Sequence, residues 1–241
     1  MIIATHPRSL LETLQGMIER TYDMDTRVRD IGRFVVGDMG YPRVLAGSRV
    51  VRRVGAGMVD RLPALLVRQE GSLIQATLYY PDWLIRRLEE HPPLGGLTDR
   101  NLDAFSWFVE ELDHLLFLAD RVRQGRPVSL LELEFHANVT KDLVARLFLA
   151  RGRADGRLRD EDRSWLRSRL YNRYGLGEMD PEIRDRYLDA ARYAFLYMKK
   201  LESFRLRERL PELRRHHRRT WQEHLRFLNR LPLKGKKKGG E

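Results

Sequence analysis

Glu110-Glu111-Leu112-Asp113-His114 sets three carboxylates and an imidazole within five residues. Around them Leu102, Phe105, Val109, Leu112, Leu116 and Ala119 recur at helical spacing, and Phe117 and Leu118 add apolar surface to another side. A helix apolar over so much of its circumference belongs at the centre of a fold. Ionised side chains are costly to bury unless something pairs with them or binds them. The stretch therefore predicts either a site or an internally paired cluster. Residues four apart share a helix face, so Glu110 and His114 can chelate one ion from the same side, with Glu111 beside them and facing somewhat away. The same spacing also suits a plain Glu110–His114 pair, with arginines elsewhere neutralising Glu111.

The pattern resembles the His-Glu-x-x-His helix of zincin-type metallopeptidases, in which two histidines bind zinc and the glutamate activates a bound water. Taken position by position, the resemblance gives Glu110 the first ligand place, Glu111 the catalytic general base and His114 the second ligand place. The first histidine of the motif is a glutamate here. Zinc accepts carboxylate oxygen, but two adjacent carboxylates alter the charge of such a site and its preference among metals. The gluzincin type of this family takes its third ligand from a glutamate on a following helix. Glu132, Glu134 and His136 are the candidates, and Glu132 has a competing place in a helix cap. The resemblance implies a divalent metal as cofactor, zinc first. A hairpin and a helix ahead of the acidic stretch also suit a zincin-like domain.

A second constellation is Arg214-Arg215-His216-His217-Arg218-Arg219 with Trp221 and His224. Read as one helix, Leu213, His217, Trp221, Leu225 and Leu228 form a packing stripe that leaves Arg214, Arg215, Arg218 and Arg219 outward. Such a surface suits an acidic protein partner, or the phosphates and stacked bases of a nucleic acid. Residues 151–241 carry 26 of the 45 Lys and Arg and 14 of the 34 Asp and Glu, a surplus of 12 positive charges, while residues 1–150 are one charge negative. The formal net charge of +11 therefore comes from the C-terminal third.

The 241 residues contain no cysteine, which excludes disulfides, thiolate zinc sites and cysteine nucleophiles. No apolar run approaches the roughly 20 residues of a membrane span, and residues 1–7 lack the pattern of a signal peptide. The expected setting is soluble and cytoplasmic. Gly55-Ala56-Gly57 lacks the flanking strand of a dinucleotide fingerprint. The turn at 154–162 puts Arg151 and Arg153 where a calcium loop needs oxygen.

The expected fold is mainly α with a small β-hairpin or sheet. Ser9-x-x-Glu12 and Ser129-x-x-Glu132 are capping boxes opening two helices. A short helix is expected over 27–36. Strands at 64–67 and 73–80 flank Glu70-Gly71 as a hairpin. Helices follow at 81–90, from Thr98 to about 124, at 130–151, at 161–173, from Pro181 to about 209, and a last one from about Pro211 to 229. We divide the chain into a near-neutral part at 1–151, a basic helical part at 152–230 that can share its core, and a lysine-rich tail at 231–241. The function expected is an accessory or binding protein with a degenerate zincin-like metal site and a basic surface for an acidic partner or larger complex. A working peptidase is less favoured. The alternative is a non-enzymatic nucleic-acid-associated protein.

Overall fold

The structure is a computed structural model, and residues 9–46, 52–54, 62–71, 73–171 and 181–229 are described. The lysine-rich tail and Gly55-Ala56-Gly57 lie outside them. The described chain is mainly helical with a small sheet. Its elements are α1 (Leu10–Tyr22), β1 (Val35–Val36), α2 (Tyr41–Ala46), β2 (Arg52–Val54), β3 (Ala64–Glu70), β4 (Leu73–Tyr79), α3 (Asp82–Glu90), α4 (Leu102–Arg123), α5 (Leu130–Arg151), α6 (Asp160–Tyr171), α7 (Pro181–Ser203), α8 (Leu206–Arg218) and α9 (Trp221–Asn229).

The sheet runs β1-β4-β3-β2, with β1 parallel to β4 and the other pairs antiparallel. The expected hairpin is β3–β4, in register from Ala64↔Tyr79 to Glu70↔Leu73. Gly71 turns it at φ +60, a conformation that glycine adopts without steric cost. The sheet lies against α4. Leu65 and Leu78 are buried there, and the Tyr80 hydroxyl donates to the Phe108 carbonyl at 2.7 Å.

α4 and α5 are the central pair and run antiparallel, because Glu110 meets Lys141 while His114 meets Glu134. α7 packs against α5, and α1 and α8 pack against each other. Sixteen of the 22 residues of α4 are buried, so the all-round apolar reading holds. Both capping boxes form as expected, with Ser9 Oγ accepting from the Glu12 N–H and Ser129 Oγ from the Glu132 N–H, each at 3.2 Å. One continuous core takes in Leu14, Leu65, Leu112, Phe148, Leu166, Tyr197 and Leu228. The near-neutral and basic stretches thus share it.

Four local expectations are corrected. Residues 31–34 form a single 3-10 turn leading into β1, so no α-helix occupies 27–36. Asn101, rather than Thr98, is the residue ahead of α4, and its side chain ties back to the His91 and Gly96 carbonyls. α7 stops at Ser203, where α8 begins with the Glu208 carboxylate accepting from the Arg205 N–H at 3.0 Å. Pro211 consequently sits inside α8. The last helix is two helices, broken at Arg219-Thr220. Thr220 and Glu223 exchange backbone bonds as a third Thr/Ser-x-x-Glu box, which starts α9 afresh.

Candidate metal centre

Two turns of α4 and one residue of α5 build the site. Glu110, His114 and Glu134 are all buried, and one ligand atom from each lies within 4.8 Å of the others; no other such group of three occurs among the described residues. His114 Nε2 stands 3.6 Å from Glu134 Oε2, an ion-pair separation too long for a hydrogen bond. Neither ring nitrogen of His114 and neither carboxylate oxygen of Glu134 has a hydrogen-bond partner among the described residues, although both side chains are 0% exposed. Buried polar groups are almost always paired, and one left unpaired costs about 1–3 kcal/mol, more when charged. Two such residues facing each other in the centre of the core therefore call for a partner.

The surroundings sharpen this. The Lys141 ammonium, two turns along α5 from Glu134, donates to Glu110 Oε2 at 2.6 Å. Glu111 is buried beside the group and accepts the Leu65 N–H of β3 at 2.6 Å. The Tyr187 hydroxyl of α7 is buried without a hydrogen-bond partner and lies in the field of Glu134, Glu110 and Glu111. Burial and those carboxylates push its phenol well above the usual range. Burial, reinforced by Glu110 and Glu134, pushes Glu111 up to about 8, against the pull of His114 and the Leu65 N–H. Burial opposes a charge on His114. The Glu134 carboxylate, with Glu111 and Glu110 behind it, overcomes that and lifts the imidazole to about 9.

The donor set fits a divalent ion. One imidazole and two carboxylates are ordinary zinc ligands, and 3.6 Å between two donors matches atoms sharing one ion at ~2.0–2.2 Å each. Three ionised carboxylates against one ammonium would leave two negative charges in a dry core, which the metal-free protein offsets by holding protons on Glu111 and His114. A divalent cation with neutral His114 cancels them.

The structure brings together three of the five ligand candidates, Glu110, His114 and Glu134. His136 is turned away. Its Nδ1 bonds Asp113 Oδ2 at 2.8 Å and its Nε2 meets His217 Nδ1 at 3.3 Å. His217 Nε2 continues to Asp120 Oδ2 at 2.8 Å. Thr140 donates to Asp113 Oδ1 at 2.8 Å. This chain of Asp113, His136, His217 and Asp120 is fully buried and ties α4, α5 and α8 together. Alternation explains it: residues 134 and 136 lie ~200° apart around a helix, so they cannot serve one site. Glu132 remains in its capping box. Asn138 bonds the Glu134 carbonyl, and Asp142 pairs with Arg146. Lys141 and Tyr187 were not singled out from sequence; a lysine seven residues after Glu134 falls on its face, which is the one signal available for it.

The arginine constellation is divided: Arg215 and Arg218 stay exposed as expected, and Arg219 is tucked inward. Arg219 and Arg215 both pair with the buried Glu212, Arg218 pairs with Asp23, and Arg214 reaches the Arg20 carbonyl. Trp221 packs edge-on against Tyr193 and Phe135 at 5.1 and 5.7 Å. No described helix is long and apolar enough to cross a membrane. Compared with protein-family models, with curated proteins and with solved structures, the chain finds no match.

Proposed function

We propose that the protein is a metal-binding accessory protein, with Glu110, His114 and Glu134 holding one divalent ion, zinc first, in a zincin-like arrangement that does not work as a peptidase. The observation that carries this reading is the pair of fully buried side chains without a hydrogen bond, His114 and Glu134, converging from two helices. When bound, such an ion supplies Lewis-acid polarisation and a strong cross-link between α4 and α5. Two features favour a non-catalytic role. Glu111, the general base of the resemblance, is engaged by the Leu65 backbone N–H, and every residue of the group is closed off from solvent. A substrate peptide would have no path to it without opening the core. In this reading the surplus of positive charge in residues 151–241 draws an acidic partner. The withdrawal of Arg219 onto buried Glu212 weighs against the nucleic-acid alternative at that helix, although Arg215 and Arg218 stay exposed.

Elemental analysis of the purified full chain tests the centre. Near one equivalent of zinc, iron or manganese is expected, and it falls away in His114→Ala. A protein that stays metal-free after exposure to each of these ions is not what we describe.

A further inference from the structure

The geometry points to Lys141 as the residue that makes this centre exchangeable: its ammonium is a resident cation on Glu110, and it competes with the incoming ion for that carboxylate. The inference rests on the metal reading above and goes beyond it, because it concerns how tightly and how reversibly the ion is held.

The argument starts from Glu110. In the zincin resemblance its place belongs to a neutral imidazole, so the glutamate adds a negative charge to a buried site. That charge is costly unless balanced. Lys141 balances it at 2.6 Å, with both side chains largely withdrawn from water. The lysine and Glu134 lie seven residues apart on α5, so the helix that delivers one ligand also delivers the counter-ion. His114 and Glu134, by contrast, make no hydrogen bond among the described residues and have only each other, at an ion-pair separation of 3.6 Å. Of the three ligands, one is thus held by a cation of the chain itself and two are left for the ion. An ion settling on all three must share Glu110 with the ammonium or displace it. Either way, two positive charges within a few ångströms repel in a medium that screens poorly. Lys141 therefore weakens binding without touching the selectivity set by the imidazole and carboxylate donors.

Zinc titration of the metal-free full chain, read by competition with a chromophoric chelator, tests the role. Lys141→Met and Lys141→Gln remove the charge, and Lys141→Arg keeps it. Both neutral variants are expected to bind zinc at least tenfold more tightly than the wild type and to release it more slowly to excess chelator. The arginine variant is expected to stay within about threefold of the wild type. Circular dichroism and thermal melting of each variant identify any that fails to fold, and the remaining neutral variant then carries the comparison. Wild-type zinc binding with unchanged or weaker affinity in the folded neutral variants overturns the role of Lys141 and leaves the metal centre standing. Absence of zinc binding in the wild type overturns the centre itself.

Discussion

The α4–α5 pair holds two buried polar groups, and they are built on different principles. In one, His136 and His217 each meet a carboxylate, Asp113 and Asp120, and their other ring nitrogens face each other at 3.3 Å, with Thr140 donating to Asp113. In the other, Glu110 is held by Lys141, while His114 and Glu134 face each other with no bond to share. Both have the same kinds of residue and similar burial. The first gives each of these side chains a contact within the fold and explains itself as an internal fastening of α8 to the core. The second is complete only with something added. Buried carboxylate and imidazole are therefore poor markers of function by themselves, and so are unmet bonds, since buried His216 has them too; what sets the site apart is unmet atoms converging within reach of one ion.

The largest effect should come from breaking the fastening group. Asp113→Ala strips His136 and Thr140 of their common acceptor, and removing one member of a buried pair costs about 3–5 kcal/mol. Chemical denaturation should register that loss equally with and without zinc. A loss that zinc repairs would mean the two groups are not independent.

The two groups should also answer pH with opposite signs. Burial, against the hydrogen bond to Asp120, depresses His217 from 6.5 to about 4, and burial with Arg219 and His136 depresses His224 to about 3. The unfolded chain then binds more protons below pH 6.5, so the contribution of these histidines is whole above that pH. It is lost as the pH falls toward 4, by up to about 3 kcal/mol for His217. In the metal-free protein Glu111 and His114 are raised, to about 8 and about 9. Their contribution is whole at acid pH and drains away as the pH rises through those values. Melting temperatures of metal-free protein should fall on both sides of neutrality, and bound zinc should flatten the alkaline side alone. His217→Asn removes the titrating imidazole there and should reduce the acid-side loss without altering the alkaline one.

Glu134→Gln makes the contrast from the other direction. Free of metal, this variant should be less stable than the wild type near neutral pH, because the amide no longer supports the charge on His114. Zinc at a hundredfold excess over its Kd should stabilise the wild type by about 2.7 kcal/mol and the variant by much less. Equal zinc stabilisation of both would sink the assignment of Glu134 as a ligand.

How much of this could be read from the chain depends on the range of the interaction. The acidic helix, the β3–β4 hairpin and the boxes at Ser9 and Ser129 rest on contacts three to seven residues apart, and period and capping chemistry expose them. The box at Thr220 was equally local, and it was hidden because the arginine run invited one unbroken helix. The ligand face of α4 was legible for the same reason, since Glu110 and His114 are one turn apart. The third ligand was legible only as a short set of candidates, because the rotation of α5 about its axis decides between Glu134 and His136, and tertiary packing fixes that rotation. The pairs of Glu212 with Arg215 and Arg219 lie in that same short range, whereas nothing local announces that Asp23 would take Arg218 from 195 residues away.

Those arginines supply the smallest and most discriminating comparison. Glu212 is 1% exposed, and Arg219 covers it with two contacts at 2.6 and 3.3 Å. Arg219→Ala leaves a buried carboxylate with Arg215 alone and should cost about 1–3 kcal/mol. Arg218 and Asp23 both remain more than half exposed in their pair. Water and salt screen that interaction, so Arg218→Ala should cost no more than about 0.5 kcal/mol. The two substitutions remove the same charge one residue apart in the chain. A docking surface that depends on general positive charge would be weakened by both alike, and a structural role would show only at Arg219. Binding of an acidic polypeptide measured for the two variants, set beside their stabilities, therefore tells whether this helix presents its arginines outward or spends them inside the fold.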